Sequence, residues 1–248
     1  MKHYFVTGGS RGIGAAVCRD LASGGDNISF TYATDKTAAA VTVSRVRTAG
    51  GTPLACLADV SDPASLAAAF DTAQATFGPF AGVVINAGII GPVSPLAEME
   101  PERIARVIEV NVTGALYTAR EAARRMSTSR GGQGGAIVIV SSAAARLGSP
   151  NEFVDYAASK GAIDTLTLGL AKELGPEGIR VNGVRPGLIE TDIHAAAGVP
   201  DRAARLGAGV PLGRSGSAQE VAEPITWLLT SPDAAYVTGA LLDIAGGR

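Results

Sequence analysis

Tyr156-Ala-Ala-Ser-Lys160 sets a phenol and an amine four residues apart, so on a helix the two side chains share one face. An ammonium beside the phenol favours the phenolate and lowers the tyrosine pKa toward neutrality, which would make Tyr156 a general acid or base at physiological pH. Upstream, the β-branched run 136–140 ends in Ser141-Ser142. A hydroxyl at the end of such a strand can hold a reacting oxygen while Tyr156 transfers the proton; Ser142 and Ser141 both compete for that place.

A second group of residues near the N-terminus reads as a phosphate cradle. A short apolar run leads straight into Thr7-Gly8-Gly9-Ser10-Arg11-Gly12-Ile13-Gly14, and a helical pattern follows. Gly8 permits the tight turn, Gly12 lets the backbone approach a pyrophosphate at the helix N-terminus, and Gly14 lets helix and strand pack closely. The next strand ends in Phe30-Thr31-Tyr32-Ala33, without the carboxylate that NAD-preferring dinucleotide folds carry there. Arg11 and Lys36 can meet a 2′-phosphate with charge-assisted hydrogen bonds, which favours NADP(H) over NAD(H). Asp35, in the loop, can still turn in toward a ribose.

These residues need a scaffold, and the rest of the chain describes one. Short β-branched runs at 3–7, 27–32, 52–57, 82–86, 136–141, 180–185 and 240–244 alternate with helical periodicity at 12–23, 37–49, 63–76, 101–127, 154–174 and 217–229. That alternation predicts an α/β fold, a doubly wound parallel sheet of seven strands with helices on both faces. No linker divides residues 1–248, so one domain is expected. The long segment 187–216 lacks a clear pattern and reads as a lid, with His194, Arg202 and Arg205 as its polar candidates.

Composition narrows the partners. With 46% hydrophobic residues, 32 Gly and 13 Pro among 248, the chain is neither disordered nor fibrous. A net charge of −2, from 21 basic and 23 acidic residues, argues against nucleic acid. No apolar run is long enough to cross a bilayer, and with no leader-like start the expected location is the cytoplasm. Cys18 and Cys56 lack metal-ligand or disulfide spacing, and His3 and His194 are too few for zinc, so no metal site is read.

The ordered set Gly-x-x-x-Gly-Ile-Gly, Asn86-Ala87-Gly88, Asn111, Ser142, Tyr156, Lys160 and Pro186-Gly187 resembles the short-chain dehydrogenase/reductase family, of the small single-domain type, from the first strand to Gly246-Gly247. The resemblance implies a Rossmann fold, a nicotinamide cofactor and a homotetramer or dimer. It implies Tyr156 as acid/base, Lys160 lowering its pKa and binding the nicotinamide ribose, Ser142 polarising the substrate carbonyl, and Asn111 holding a water in a relay to Lys160. On the cofactor side it implies Gly8, Ser10, Arg11, Gly12, Ile13 and Gly14 at the phosphates and Tyr32 at the second strand's end. Asp59-Val60 would contact adenine, and Asn86-Ala87-Gly88 would lie beneath the ribose. Pro186-Gly187 with Ile189 and Thr191 would fix the carboxamide. One departure is the 14-position separation of Ser142 and Tyr156, one more than in many relatives, with the extra residue in the loop 148–153.

The implied activity is NADP(H)-dependent interconversion of a carbonyl and a secondary alcohol on a small molecule. A 3-oxoacyl-[acyl-carrier-protein] reductase is an alternative, which would need a basic patch such as Arg124, Arg125 and Arg130 beside the pocket. A sugar or polyol dehydrogenase is another. A non-catalytic nucleotide-sensing protein on the same fold would typically lack the tyrosine or lysine, and both stand here.

Overall fold

The structure, a computed structural model, describes residues 1–248 except the side chains at 194 and 196, so His194 lies outside the described residues. The chain runs β1 (His3–Val6), α1 (Gly12–Ala22), β2 (Asn27–Tyr32), α2 (Lys36–Thr48), β3 (Thr52–Leu57), α3 (Pro63–Phe77) and β4 (Gly82–Ile85). It continues through α4 (Pro101–Ile108), α5 (Gly114–Met126), β5 (Gly135–Val140), α6 (Ala144–Leu147), α7 (Val154–Leu174) and β6 (Ile179–Pro186). Then come β7 (Ile189–Glu190), α8 (Ile193–Ala196), α9 (Arg202–Gly207), β8 (Gly216–Ser217), α10 (Ala218–Thr230) and β9 (Leu241–Ile244).

Seven strands form one parallel sheet in the order β3-β2-β1-β4-β5-β6-β9, as expected for a doubly wound Rossmann fold. Alternate residues feed separate cores. Phe5, Ile137 and Ile139 join Leu66, Phe70, Ala119 and Ile163 on the face covered by α3, α5 and α7. Tyr4, Val6, Val138 and Val140 join Val17, Leu21, Val221 and Ile225 beneath α1, α2 and α10. A strand buried on both faces needs apolar residues at every position, which is why these runs do not alternate with polar ones. Successive connections leave β1 in opposite directions, toward β2 and β4, and open a crevice at the C-terminal ends of the strands between them.

Two segments depart from the sequence reading. The expected helix 101–127 is interrupted by a π-helical turn, Glu109–Thr113, between α4 and α5. One residue more than an α-helix needs is accommodated there, and the turn carries Asn111 toward the crevice. The segment 187–216, expected to lack regular structure, contains α8 and α9 and pairs β7 with β8 in a small parallel ladder.

Candidate active site

A single cavity of about 490 Å³ runs along the strand ends, from Gly8, Arg11 and Gly12 at one end to Ser142, Tyr156 and Lys160 at the other. Three elements deliver the second group. The last residues of β5 and the two that follow it meet the first half of α7, while Asn111 arrives from the π turn.

Ser142 Oγ accepts a hydrogen bond from Ala144 N at 3.1 Å, so its own hydrogen is left for the cavity, where the hydroxyl contacts the Tyr156 phenol. Ser141 is buried and turned away: its hydroxyl donates to Asp164 Oδ1 at 2.6 Å. Of the two serines weighed from the sequence, only Ser142 therefore presents a free proton beside the phenol.

Lys160 is buried and its Nζ donates to Val140 O at 2.8 Å, lying 5.7 Å from the centre of the Tyr156 ring. Burial pulls the ammonium down to about 8, against the raising influence of Asp164. The phenol moves in the direction opposite to that expected from the i,i+4 pair. Desolvation raises Tyr156 above its ordinary value, and the Ser142 bond offsets only part of this. Near neutrality the phenol is thus protonated, the form that can give a proton away.

Asn111 spends both amide hydrogens, on Ile89 O at 2.9 Å and Ser159 Oγ at 3.0 Å, and its Oδ1 accepts from Ile89 N at 2.8 Å. Ser159 in turn donates to the Tyr156 carbonyl at 2.6 Å. The amide braces the loop after β4 against α7.

Comparison with known proteins matches this geometry to relatives. The family model described as Enoyl-(Acyl carrier protein) reductase matches residues 8–248. A short-chain dehydrogenase/reductase from Serratia marcescens BCRC 10948 superposes with a TM-score of 0.90 at 38% identity, over 99% of this chain and 97% of its own. The chain belongs to the short-chain dehydrogenase/reductase family. An Escherichia coli (strain K12) uncharacterized oxidoreductase, YgfF, is 49% identical over 243 residues, 98% of each chain. A 3-ketoacyl-(acyl-carrier-protein) reductase from Brucella melitensis, solved with NADH, is 30% identical with a TM-score of 0.90, over 100% of this chain and 98% of its own. The protein is an NAD(P)-dependent oxidoreductase that acts on small molecules.

In this short-chain dehydrogenase/reductase the cofactor end has the shape a dinucleotide needs. Gly8 turns the chain at φ +66°, and a Cβ at Gly14 would stand 2.3 Å from Gly8 O, so the turn and α1 can approach only without a side chain there. Helices α2, α3 and α10 begin with side-chain caps from Asp35, Asp62 and Ser217. The α1 N-terminus has no side-chain cap and no acid in its first turn, leaving backbone N–H groups for an anion. Asn86 Nδ2 donates to Thr7 O at 2.9 Å and Gly8 O at 3.1 Å, so it ties β4 to the turn while lining the cavity.

Ser10, Ile13, Tyr32, Val60, Ala87, Gly88, Pro186, Gly187, Ile189 and Thr191 also line the cavity, as does Asp59. Burial alone would raise Asp59, but bonds from Ser61 and Arg106 hold it below the usual carboxylate range. Asp35 accepts from Ala38 N at 2.8 Å and lies 3.4 Å from Arg11, so its carboxylate is engaged by the cap and the guanidinium. Lys36 does not line the cavity.

The substrate end holds residues that periodicity does not reveal. Glu152, in the lengthened loop, receives Arg202 of α9 through two bonds of 2.6 Å, and the guanidinium covers the Phe153 ring at 5.2 Å. Ser149 and Asn151 turn this loop with φ of 45° and 61°. The arginines considered as a carrier-protein patch are placed elsewhere. Arg124, Arg125 and Arg130 precede β5, at the end of that strand opposite Ser142, and Arg125 is held by Glu121 and Asp71.

Proposed function

We propose that the protein interconverts a carbonyl and a secondary alcohol on a small molecule with NADP(H), using Ser142, Tyr156 and Lys160, with residues 1–248 as one domain and 187–216 as a lid over the substrate. The observation that carries this reading is the convergence of Ser142, Tyr156 and, one helical turn on, the buried Lys160 in the cavity that begins at the glycine turn.

A nicotinamide dinucleotide would be held at its phosphates by the glycine turn and the α1 N-terminus and at its nicotinamide end by Lys160, Pro186, Gly187, Ile189 and Thr191, and when bound would supply or remove the hydride. The rest is done by the chain. Ser142 donates a hydrogen bond to the substrate oxygen, and Tyr156 gives that oxygen its proton as the carbonyl carbon is reduced. Lys160 stabilises the phenolate left behind. Asn111 holds the Ile89 loop and Ser159 so that Tyr156 stays in register.

Purified protein is expected to oxidise NADPH in the presence of some member of a panel of ketones, followed at the absorbance of the reduced nicotinamide. Tyr156→Phe removes only the proton donor, so turnover is expected to fall by about 10²–10⁴ while NADPH still binds. A variant retaining most of its rate would refute the role given to Tyr156.

A further inference from the structure

We infer that Asp164 is a positioning residue of the active site: it sits one turn beyond Lys160 on the face that carries Tyr156, fastens the end of β5 to α7 through Ser141, and sets a carboxylate one helical turn from the buried lysine. This rests on the acid/base reading of Tyr156 and Lys160 above.

Three successive residues of β5 and its end engage three side chains spaced by four along α7. Val140 O receives Lys160, Ser141 donates to Asp164, and Ser142 contacts Tyr156. Asp164 is therefore the anchor that holds the backbone from which Ser142 and the Lys160 acceptor project. Its second oxygen takes Arg185 of β6 through Nε at 3.0 Å and Nη2 at 2.9 Å, with both side chains largely buried. Beyond Arg185 the signs keep alternating: Asp243 lies 3.7 Å from it, and Arg146 lies 3.3 Å from Asp243 at the half-exposed edge.

Lys160 needs such a partner. Its Nζ is taken by a neutral carbonyl, and burial works against its charge. Among the described residues, the titratable groups beside it are Tyr156 and Asp164 on its own helix. The π turn presents the uncharged Asn111, β5 offers Val140 and Ser141, Arg185 of β6 is bound to Asp164, and Asp155 is held by Arg103 of α4. Asp164 is the anion in that set that raises Lys160. A catalytic step that leaves a phenolate beside an amine gains only while the amine is charged, so losing Asp164 narrows the working range from the alkaline side.

The test compares Asp164→Asn, Asp164→Asn with Arg185→Met, and Ser141→Ala with the parent. The double variant removes the arginine that Asp164→Asn would strand in a buried position. Two readouts are taken. One is the titration of the lysine ¹³Cε resonances in cofactor-free protein, where the exposed Lys2, Lys36 and Lys172 serve as references; the other is the pH profile of kcat/KM for ketone reduction. Both Asp164 variants are expected to titrate Lys160 at lower pH than the parent and to lose about tenfold in kcat/KM by pH 8 with little change at pH 6. Ser141→Ala is expected to keep the parent's Lys160 titration. An unchanged Lys160 titration in the Asp164 variants overturns the inference; so does a double variant that regains the parent titration and profile, because that assigns Asp164 to packing Arg185 alone, and so does failure of both Asp164 variants to fold, because that makes Asp164 a structural residue. Absence of ketone reduction in the parent would instead count against the catalytic reading, with the resonance titration still deciding the role of Asp164.

Discussion

The proposed preference for NADP(H) over NAD(H) rests on Arg11. Its guanidinium lies at the cavity wall and is 56% exposed, so donors remain beyond the 3.4 Å contact with Asp35. A 2′-phosphate brings close to two negative charges to this point, and Tyr32, at the strand end, brings none to oppose them. Asp35 is occupied as the α2 cap, which weakens its claim on a ribose. NADPH is therefore expected to give the higher kcat/KM. Arg11→Ala is expected to lose about ten- to a hundredfold of that preference, the worth of a charged hydrogen bond of roughly 1.5–3 kcal/mol. Parallel measurements with NADPH and NADH decide it, and a parent that prefers NADH would refute the phosphate reading.

Helix α7 meets α4 through a buried ion pair beside Tyr156. Arg103 donates to Asp155 through Nε at 3.0 Å and Nη2 at 3.1 Å, and the Asp155 side chain is 1% exposed. Removing the cation leaves a carboxylate stranded next to Tyr156. Arg103→Ala is expected to cost about 3–5 kcal/mol and lower Tm by roughly 6–20 °C in a thermal melt. Strand β1 contributes a second test. His3 Nδ1 donates to Gly78 O at 2.9 Å, so in the neutral ring Nε2 accepts from Ser29, also at 2.9 Å. Burial lowers His3 below 6.5, outweighing the Gly78 bond. The unfolded chain thus takes up the proton first as pH falls. The stability that neutral His3 provides is complete above pH 6.5 and is lost as pH drops from there through the folded-state value. Melts at pH 7.5 and 5.5 are expected to show a smaller acid loss in His3→Gln than in the parent.

For the molecule as a whole, the outer faces of α5 and α7 carry exposed Leu116 and Leu168, and a Cβ at Gly161 or Gly169 would meet open space. On α5, Ala115, Ala119 and Ala122 are buried against the sheet and serve the core. Ala162, Gly169 and the two leucines remain for a partner. The edge strand β9, paired only with β6 in the sheet, presents a second surface with Leu242. We expect a homo-oligomer, a tetramer if both surfaces are used, and light scattering at micromolar concentration checks it; a monomer would refute it. Among the described residues no helix is long and apolar enough to cross a membrane.

The strands and most helices were legible in the sequence because a sheet buried on both faces demands unbroken apolar runs, and the 3.6-residue period marks what covers them. The Tyr156–Lys160 spacing and the glycine turn were legible for a similar reason: each is local, its geometry set within one helix or one turn. The π turn at Glu109–Thr113 was not, since no Pro or Gly falls within it and its extra residue is accommodated by contacts that Asn111 makes with a loop 22 positions away. Nor was the protonation of Tyr156, because a pair read along a helix gives a distance but not a desolvation. The choice between Ser141 and Ser142, the capture of Arg202 by Glu152 and the place of Asp164 beneath Lys160 were decided by tertiary structure alone, since each depends on residues that only the packing of β5, α7, β6 and the 187–216 segment brings together.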